Sequence, residues 1–256
     1  MVMKSVILAG GFGTRLSEYT QVIPKPMVNI GSYPIIHHIM NLYSKYNVKD
    51  FVIALGYKAD IVKNYFYSLS ILNNDFTINP NKSKITFHNN DAPDWNITLV
   101  DTGIDTMTGG RLLRVSDHLE SERFFCTYGD GLSDLNIEKL LHNHLISGCL
   151  ATVTAVRPQA RFGELIIGND NKVKSFKEKP QLNTGYINGG FFVFEPEVFS
   201  YIKNDKTVLE KEPLENLAKK SELNAFAHDG FWQCMDTKRD HEFLEKIYSS
   251  GTIPWV

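Results

Sequence analysis

The sequence predicts an α/β fold built on a mostly parallel sheet, and two observations carry that expectation. Apolar runs of strand length alternate with stretches of helical apolar spacing through the first two thirds of the chain. A cluster of glycines follows directly on the first of those runs. Strands joined by helical crossovers pair in parallel, and their helices cover both faces of the sheet.

Residues 5–9 are nearly continuously apolar and read as a first strand buried on both faces. Residues 34–46 place Ile35, Ile36, Ile39, Met40, Leu42 and Tyr43 at helical spacing, with Pro34 acceptable in a first turn. A strand at 51–55, a helix at 58–67, strands at 97–100 and 124–128 and a helix at 137–145 follow. From residue 151 the pattern loosens: 151–156, 163–167, 173–176 and 186–194 are strand-like, and helices return at 212–220 and 238–248. Residues 73–96, rich in Asn and Asp, read as an inserted excursion. No linker, repeat or low-complexity stretch divides residues 1–256, so one Rossmann-like domain with a mixed, mostly parallel sheet is expected. Its ligand crevice would lie beyond the carboxyl ends of the strands.

Composition excludes more than it identifies. The chain has 256 residues, with 27 basic and 29 acidic side chains and a net charge of −2. No global field therefore recruits nucleic acid or an anionic membrane. Met1 to Lys4 run straight into the first strand, leaving no room for a signal peptide, and no apolar stretch approaches the roughly 20 residues of a membrane span. Cys126, Cys149 and Cys234 are odd in number and lack Cys-x-x-Cys spacing, which points to reduced thiols in the cytoplasm and away from zinc. All three are expected to be small buried apolar groups.

The chemistry starts with Leu8, Ala9, Gly10, Gly11, Phe12, Gly13, Thr14 and Arg15. Glycines after a strand let the backbone approach a ligand and aim its N–H groups at an anion. Arg15 adds a planar fork suited to phosphate and Lys25 a compact ammonium, so the segment reads as a polyphosphate cradle. The third glycine of a dinucleotide fingerprint and the Gly-Lys-Ser/Thr of a P-loop are both missing. Asp130 stands between Gly129 and Gly131 at a strand end, a place for a hard oxygen ligand to Mg²⁺ shared with phosphates. Asp134 reads as a helix-flanking or capping residue, or else a second ligand. Asp236 precedes Thr237 and Asp240, spaced as a helix cap and its N3 carboxylate. Glu178 with Lys179, and Asn188 with Gly189 and Gly190, each read alone as a solvated turn or a strand entry.

Taken in order, these motifs resemble the sugar-1-phosphate nucleotidylyltransferases over essentially the whole chain. The narrower segments 99–103, 107–112, 161–163 and 230–237 are most similar to the branch that makes CDP-glucose. The resemblance implies transfer of a cytidylyl group from CTP to α-D-glucose 1-phosphate, with release of pyrophosphate and a product of the kind used in deoxysugar and surface-polysaccharide synthesis. It implies that the glycine loop and Arg15 hold the triphosphate, with Lys25 at the reacting phosphate. Asp130 and Asp236 would be the Mg²⁺ ligands; Gly129 would line the nucleotide site. Thr106, Gly109 and Arg111 would lie on the base side. Lys179 would meet the sugar phosphate, and Glu178, Asn188 and Gly189 would stand near the sugar hydroxyls. A homo-oligomer, often a hexamer, is also implied. A different phosphorylated acceptor and a non-catalytic sugar-nucleotide regulator stay open beside this reading. His37 and His38 depart from the branch; they point about 100° apart on a helix, cannot pair on one metal, and are expected at the surface or an interface.

Overall fold

A computed structural model describes residues 3–89, 91–158, 164–167, 169, 171–177 and 185–255. Its main sheet has seven strands: β1 (Lys4–Leu8), β2 (Asp50–Leu55), β3 (Asn96–Asp101), β4 (Phe124–Tyr128), β5 (Ala151–Val156), β6 (Ile187–Phe194) and β7 (Leu223–His228). Their order is β7-β5-β6-β4-β1-β2-β3. All neighbours are parallel except β6, which runs against both β5 and β4. The mixed, mostly parallel sheet is thus present, with the one reversed strand beside its centre.

Alternation along the strands explains the two layers of helices. Ile7, Ile53 and Phe125 point to one face, where they pack with helices α1 (Ile35–Ser44), α2 (Ala59–Leu72), α4 (Ile137–Ser147) and α6 (Lys238–Ser249). Val6, Val52 and Phe124 point to the other, against α3 (Thr108–Arg114) and α5 (Glu212–Lys219). A strand covered on both faces has no polar side, which is why these runs read as continuously apolar.

Helix α3 carries Gly109 and Gly110, poor helix formers. A Cβ on Gly109 would lie 2.8 Å from the Thr207 carbonyl oxygen, and one on Gly110 2.4 Å from that of Asp205. The glycines let this helix press against the 205–207 backbone. Within the stretch expected as an insertion, Phe76–Asn79 pairs with Lys84–Phe87 in a separate hairpin, with Phe76, Ile78, Ile85 and Phe87 exposed on one side.

His37 and His38 are a correction: both are buried. His37 Nδ1 bonds the Tyr65 hydroxyl at 2.8 Å, and its ring stacks on Tyr33. His38 Nε2 lies 2.8 Å from the Ile30 carbonyl, which can only accept, and Trp255 Nε1–H donates to His38 Nδ1 at 3.3 Å. A neutral ring protonated on Nε2 satisfies both. The partners lie 28 and 217 residues away in sequence, so nothing local marks these imidazoles as interior.

Burial, reinforced by the charge of His38, pushes His37 down from 6.5 to about 4. Between those values the unfolded chain holds a proton that the folded one lacks, so stability rises with pH across that window. The unfolding free energy measured in urea should fall as pH drops from 6.5 toward 4, by up to about 1.4 kcal/mol per pH unit for this one proton. His37→Gln should flatten that slope; an unchanged slope would remove His37 from the acid response.

Candidate active site

The first strand ends in the glycine loop, which is held against the end of β2. Ala9 N–H donates to the Ala54 carbonyl at 3.0 Å, and Tyr57 N–H to that of Gly10 at 3.1 Å. Gly13 turns the chain with φ 63°, and a Cβ there would meet the Thr20 methyl at 2.8 Å and Lys25 Cβ at 3.1 Å. Only glycine accepts that conformation cheaply while letting Lys25 come so close. Residues 8–15 line a cleft of about 480 Å³, with Lys25, Thr106, Arg111 and Gly129 on its other walls.

Arg111 lines this cleft with a nearly buried side chain. Its Nη1 donates to the Leu55 carbonyl, the Thr102 hydroxyl and the Gly103 carbonyl at 2.7–3.0 Å, and Nη2 donates to the Ile104 carbonyl. Those bonds fix the 102–104 wall. Gly109 lies off the cleft, its N–H donating to the Thr207 carbonyl at 3.0 Å. The glycine signal there came from helix packing.

A second cleft, of about 760 Å³, is lined by Asn188, Gly189, Glu210 and Asp236 among others. Arg15, Tyr128 and Asp130 belong to both clefts and form their common wall. The Tyr128 ring fits because residue 190 is glycine: at φ 78°, a Cβ there would lie 2.5 Å from the ring. Glu178 and Lys179 lie outside the described residues, as does the 161–163 segment.

Asp130 and Asp236 are 106 positions apart and are brought together by backbone pairing. Gly131–Ser133 pairs antiparallel with Trp232–Cys234, and Met235 N–H donates to the Asp130 carbonyl at 2.8 Å. Lys25 Nζ then lies 2.6 Å from Asp130 Oδ2 and 2.5 Å from Asp236 Oδ1, while Arg15 Nη1 is 2.6 Å from Asp236 Oδ2. Lys25 is only 9% exposed, so its charge needs these partners. Burial alone would lower its ammonium, but Asp130, with smaller help from Cys234 and Asp236, raises it above 10.5. Burial likewise works to raise Asp236, yet the hydrogen bond and charge of Lys25 and the charge of Arg15 hold it below 3.8.

Asp130, Cys234 and Asp236 can bring one ligand atom each within 4.8 Å of one another, the one such group among the described residues. Asp134 is outside it. Its carboxylate pairs with His228 Nε2 at 2.9 Å, and the cap of α4 is Asn136, whose Oδ1 accepts from Lys139 N–H. Asp134 is therefore neither ligand nor cap. Asp236 is not the cap of α6 either: Thr237 and Asp240 form that capping box. Cys126 is buried as expected, but Cys149 and Cys234 are partly exposed. Burial, then the charge of Asp130, drives the Cys234 thiol up, so it is no thiolate nucleophile.

The nucleotidyl transferase family profile matches residues 4–237. The chain belongs to the nucleotidyl transferase family. Within this family it is 49% identical to the glucose-1-phosphate cytidylyltransferase of Salmonella typhimurium, over 99% of this chain and 98% of that one. It is 42% identical to a probable glucose-1-phosphate cytidylyltransferase of Bacillus subtilis, over 99% of each. The crystal structure of HddC from Yersinia pseudotuberculosis, 25% identical, superposes with a TM-score of 0.69 over 96% of this chain and all of that one. The family's fold is thus the one described above. Glu210 lines the larger cleft and no sequence signal singles it out, because it sits in a charged run that reads as solvated surface.

Proposed function

We propose that this chain transfers a cytidylyl group from CTP to α-D-glucose 1-phosphate, giving CDP-glucose and pyrophosphate. The observation that carries the reading is the meeting of two clefts at one wall, with Lys25 between two carboxylates at the junction. The nucleotide and acceptor are supported by the names of the full-length relatives. In the step, an acceptor phosphate oxygen bonds to the α-phosphorus of CTP, the bond from that phosphorus to the β-phosphate oxygen breaks, and pyrophosphate leaves with the electron pair. Such a reaction needs positioning and charge neutralisation rather than a protein nucleophile.

In this reading the glycine loop, Leu8 to Arg15, and Gly129 hold the triphosphate in the smaller cleft. Thr106 and Arg111 flank the base. Lys25 offsets charge at the α-phosphate, where the gain is greatest in the transition state. Asn188 and Gly189, with Glu178 and Lys179, take the sugar phosphate in the larger cleft. Asp130 and Asp236 fit a Mg²⁺ ion, because two hard carboxylates converge and already hold a positive group. When bound, that ion neutralises charge on phosphate oxygens. A homo-oligomer is supported by the exposed apolar side of the 76–87 hairpin, since a two-stranded hairpin gains little stability alone. No helix among the described residues is long and apolar enough to cross a membrane.

The test is pyrophosphate release from each of the four ribonucleoside triphosphates and dTTP, against glucose 1-phosphate. CTP should exceed dTTP by a hundredfold or so in kcat/KM, since a site that hydrogen-bonds a base edge leaves polar groups unpaired with the wrong base. Equal turnover of CTP and dTTP at subsaturating concentration would sink the cytidylyl assignment.

A further inference from the structure

Glu210 lines the larger cleft, and each oxygen of its carboxylate accepts a hydroxyl. Tyr128 O–H donates to Oε1 at 2.6 Å and Thr108 Oγ1–H to Oε2 at 2.6 Å. With its proton committed, the Tyr128 oxygen can only accept, and Asn188 Nδ2–H donates to it at 3.2 Å. Asn188 Oδ1 in turn accepts from Gly190 N–H at 2.8 Å. On the other arm, Leu209 N–H donates to Thr108 Oγ1 at 2.9 Å. Every bond in the chain points toward the carboxylate, so each polarises the next. The Asn188 amide is therefore held in one orientation from both ends. It keeps one Nδ2–H without a described partner, and Asn188 lines the larger cleft.

We propose that Glu210 is a positioning residue that fixes the hydrogen-bonding face of Asn188 and so sets which sugar hydroxyl pattern the larger cleft accepts. The proposal rests on the transferase reading above. A sugar hydroxyl opposite Asn188 must offer a lone pair to this N–H. An epimer whose hydroxyl points elsewhere finds no donor there, because the amide is held from both ends and cannot turn to meet it. Glutamine at 210 would have one oxygen and one N–H₂ donor in place of two acceptors. One of the two hydroxyls would then have to turn, and the amide of Asn188 would lose its fixed sense.

The experiment compares kcat/KM for glucose 1-phosphate, galactose 1-phosphate and mannose 1-phosphate in wild type, Glu210→Gln, Asn188→Ala and the double variant. CTP affinity without acceptor and the melting temperature are measured alongside. Glu210→Gln should narrow the preference for glucose 1-phosphate at least tenfold, chiefly through KM of the acceptor, while CTP affinity and melting temperature stay near wild type. The double variant should discriminate no worse than Asn188→Ala, because residues acting as one unit are non-additive. If Glu210→Gln does not fold, Tyr128→Phe breaks the same chain and should narrow the preference equally. Undiminished discrimination in the folded variant, or equal losses for CTP and acceptor, would overturn the positioning role. Absence of cytidylyl transfer to any of the three sugars in wild type would instead fail the transferase reading.

Discussion

Replacing Lys25 with alanine is expected to lower kcat roughly a hundred- to a thousandfold, while KM for CTP changes far less. That is the loss seen when one preorganised charge at a developing negative centre is removed. The structure adds a second expectation. Without the ammonium, Asp130 and Asp236 face each other with only Arg15 nearby, and Arg15 is 73% exposed, so it screens them weakly. The signs are clear. Lys25 is raised, so its charge is present throughout the neutral range and lost only as pH rises through its folded value above 10.5. Asp236 is depressed, so its pairing contributes above the ordinary carboxylate range near 3.8 and is lost as pH falls below it. Wild-type stability should therefore show no titration of this cluster near neutral pH. In Lys25→Ala the acid limb of unfolding should move to higher pH, because Asp236 has lost its main cationic partner. Wild-type kcat in that variant would remove Lys25 from the chemistry.

Asp236→Asn should fold normally yet need at least tenfold more Mg²⁺ for half-maximal rate. The helix start does not depend on the carboxylate. Thr237 is the cap residue, and Asp240 Oδ2 accepts from both the Asp236 and Thr237 N–H groups. An asparagine keeps that backbone and the side-chain volume but brings no formal charge to offset a divalent ion. Asp130→Asn should behave alike, and the double variant should be little worse than either. Pyrophosphate release titrated against Mg²⁺ measures this directly. A wild-type Mg²⁺ dependence in Asp236→Asn would refute the shared-metal reading.

The buried strands and amphipathic helices were legible because apolar periodicity reports burial wherever the sheet is covered on both faces. β7 was not: its sequence, LNAFAH, mixes weak strand formers with polar residues, and it forms because β5 offers a parallel edge. The helix at Thr108–Arg114 has no sequence signal, since two glycines oppose a helix unless a neighbouring backbone needs their missing side chains. The residue types of the Lys25, Asp130 and Asp236 cluster were visible, but not that Lys25 would bridge the carboxylates. That geometry comes from a short strand pairing with no distinctive sequence mark. His37, His38 and Glu210 were hidden for one reason. Each is a polar group whose partner comes from another part of the chain.

Lys25 reaches Asp130 across 105 residues and Asp236 across 211, through contacts that no local segment could make alone. Loop closure over such separations is entropically expensive and comes late in folding. The proposed reaction centre thus exists only once the last strand pairing has closed on the first loop. Partly folded chains, whatever their helix content, would carry no activity. Inactivation on heating should then track the main cooperative unfolding rather than precede it, making turnover a reporter of the whole native topology.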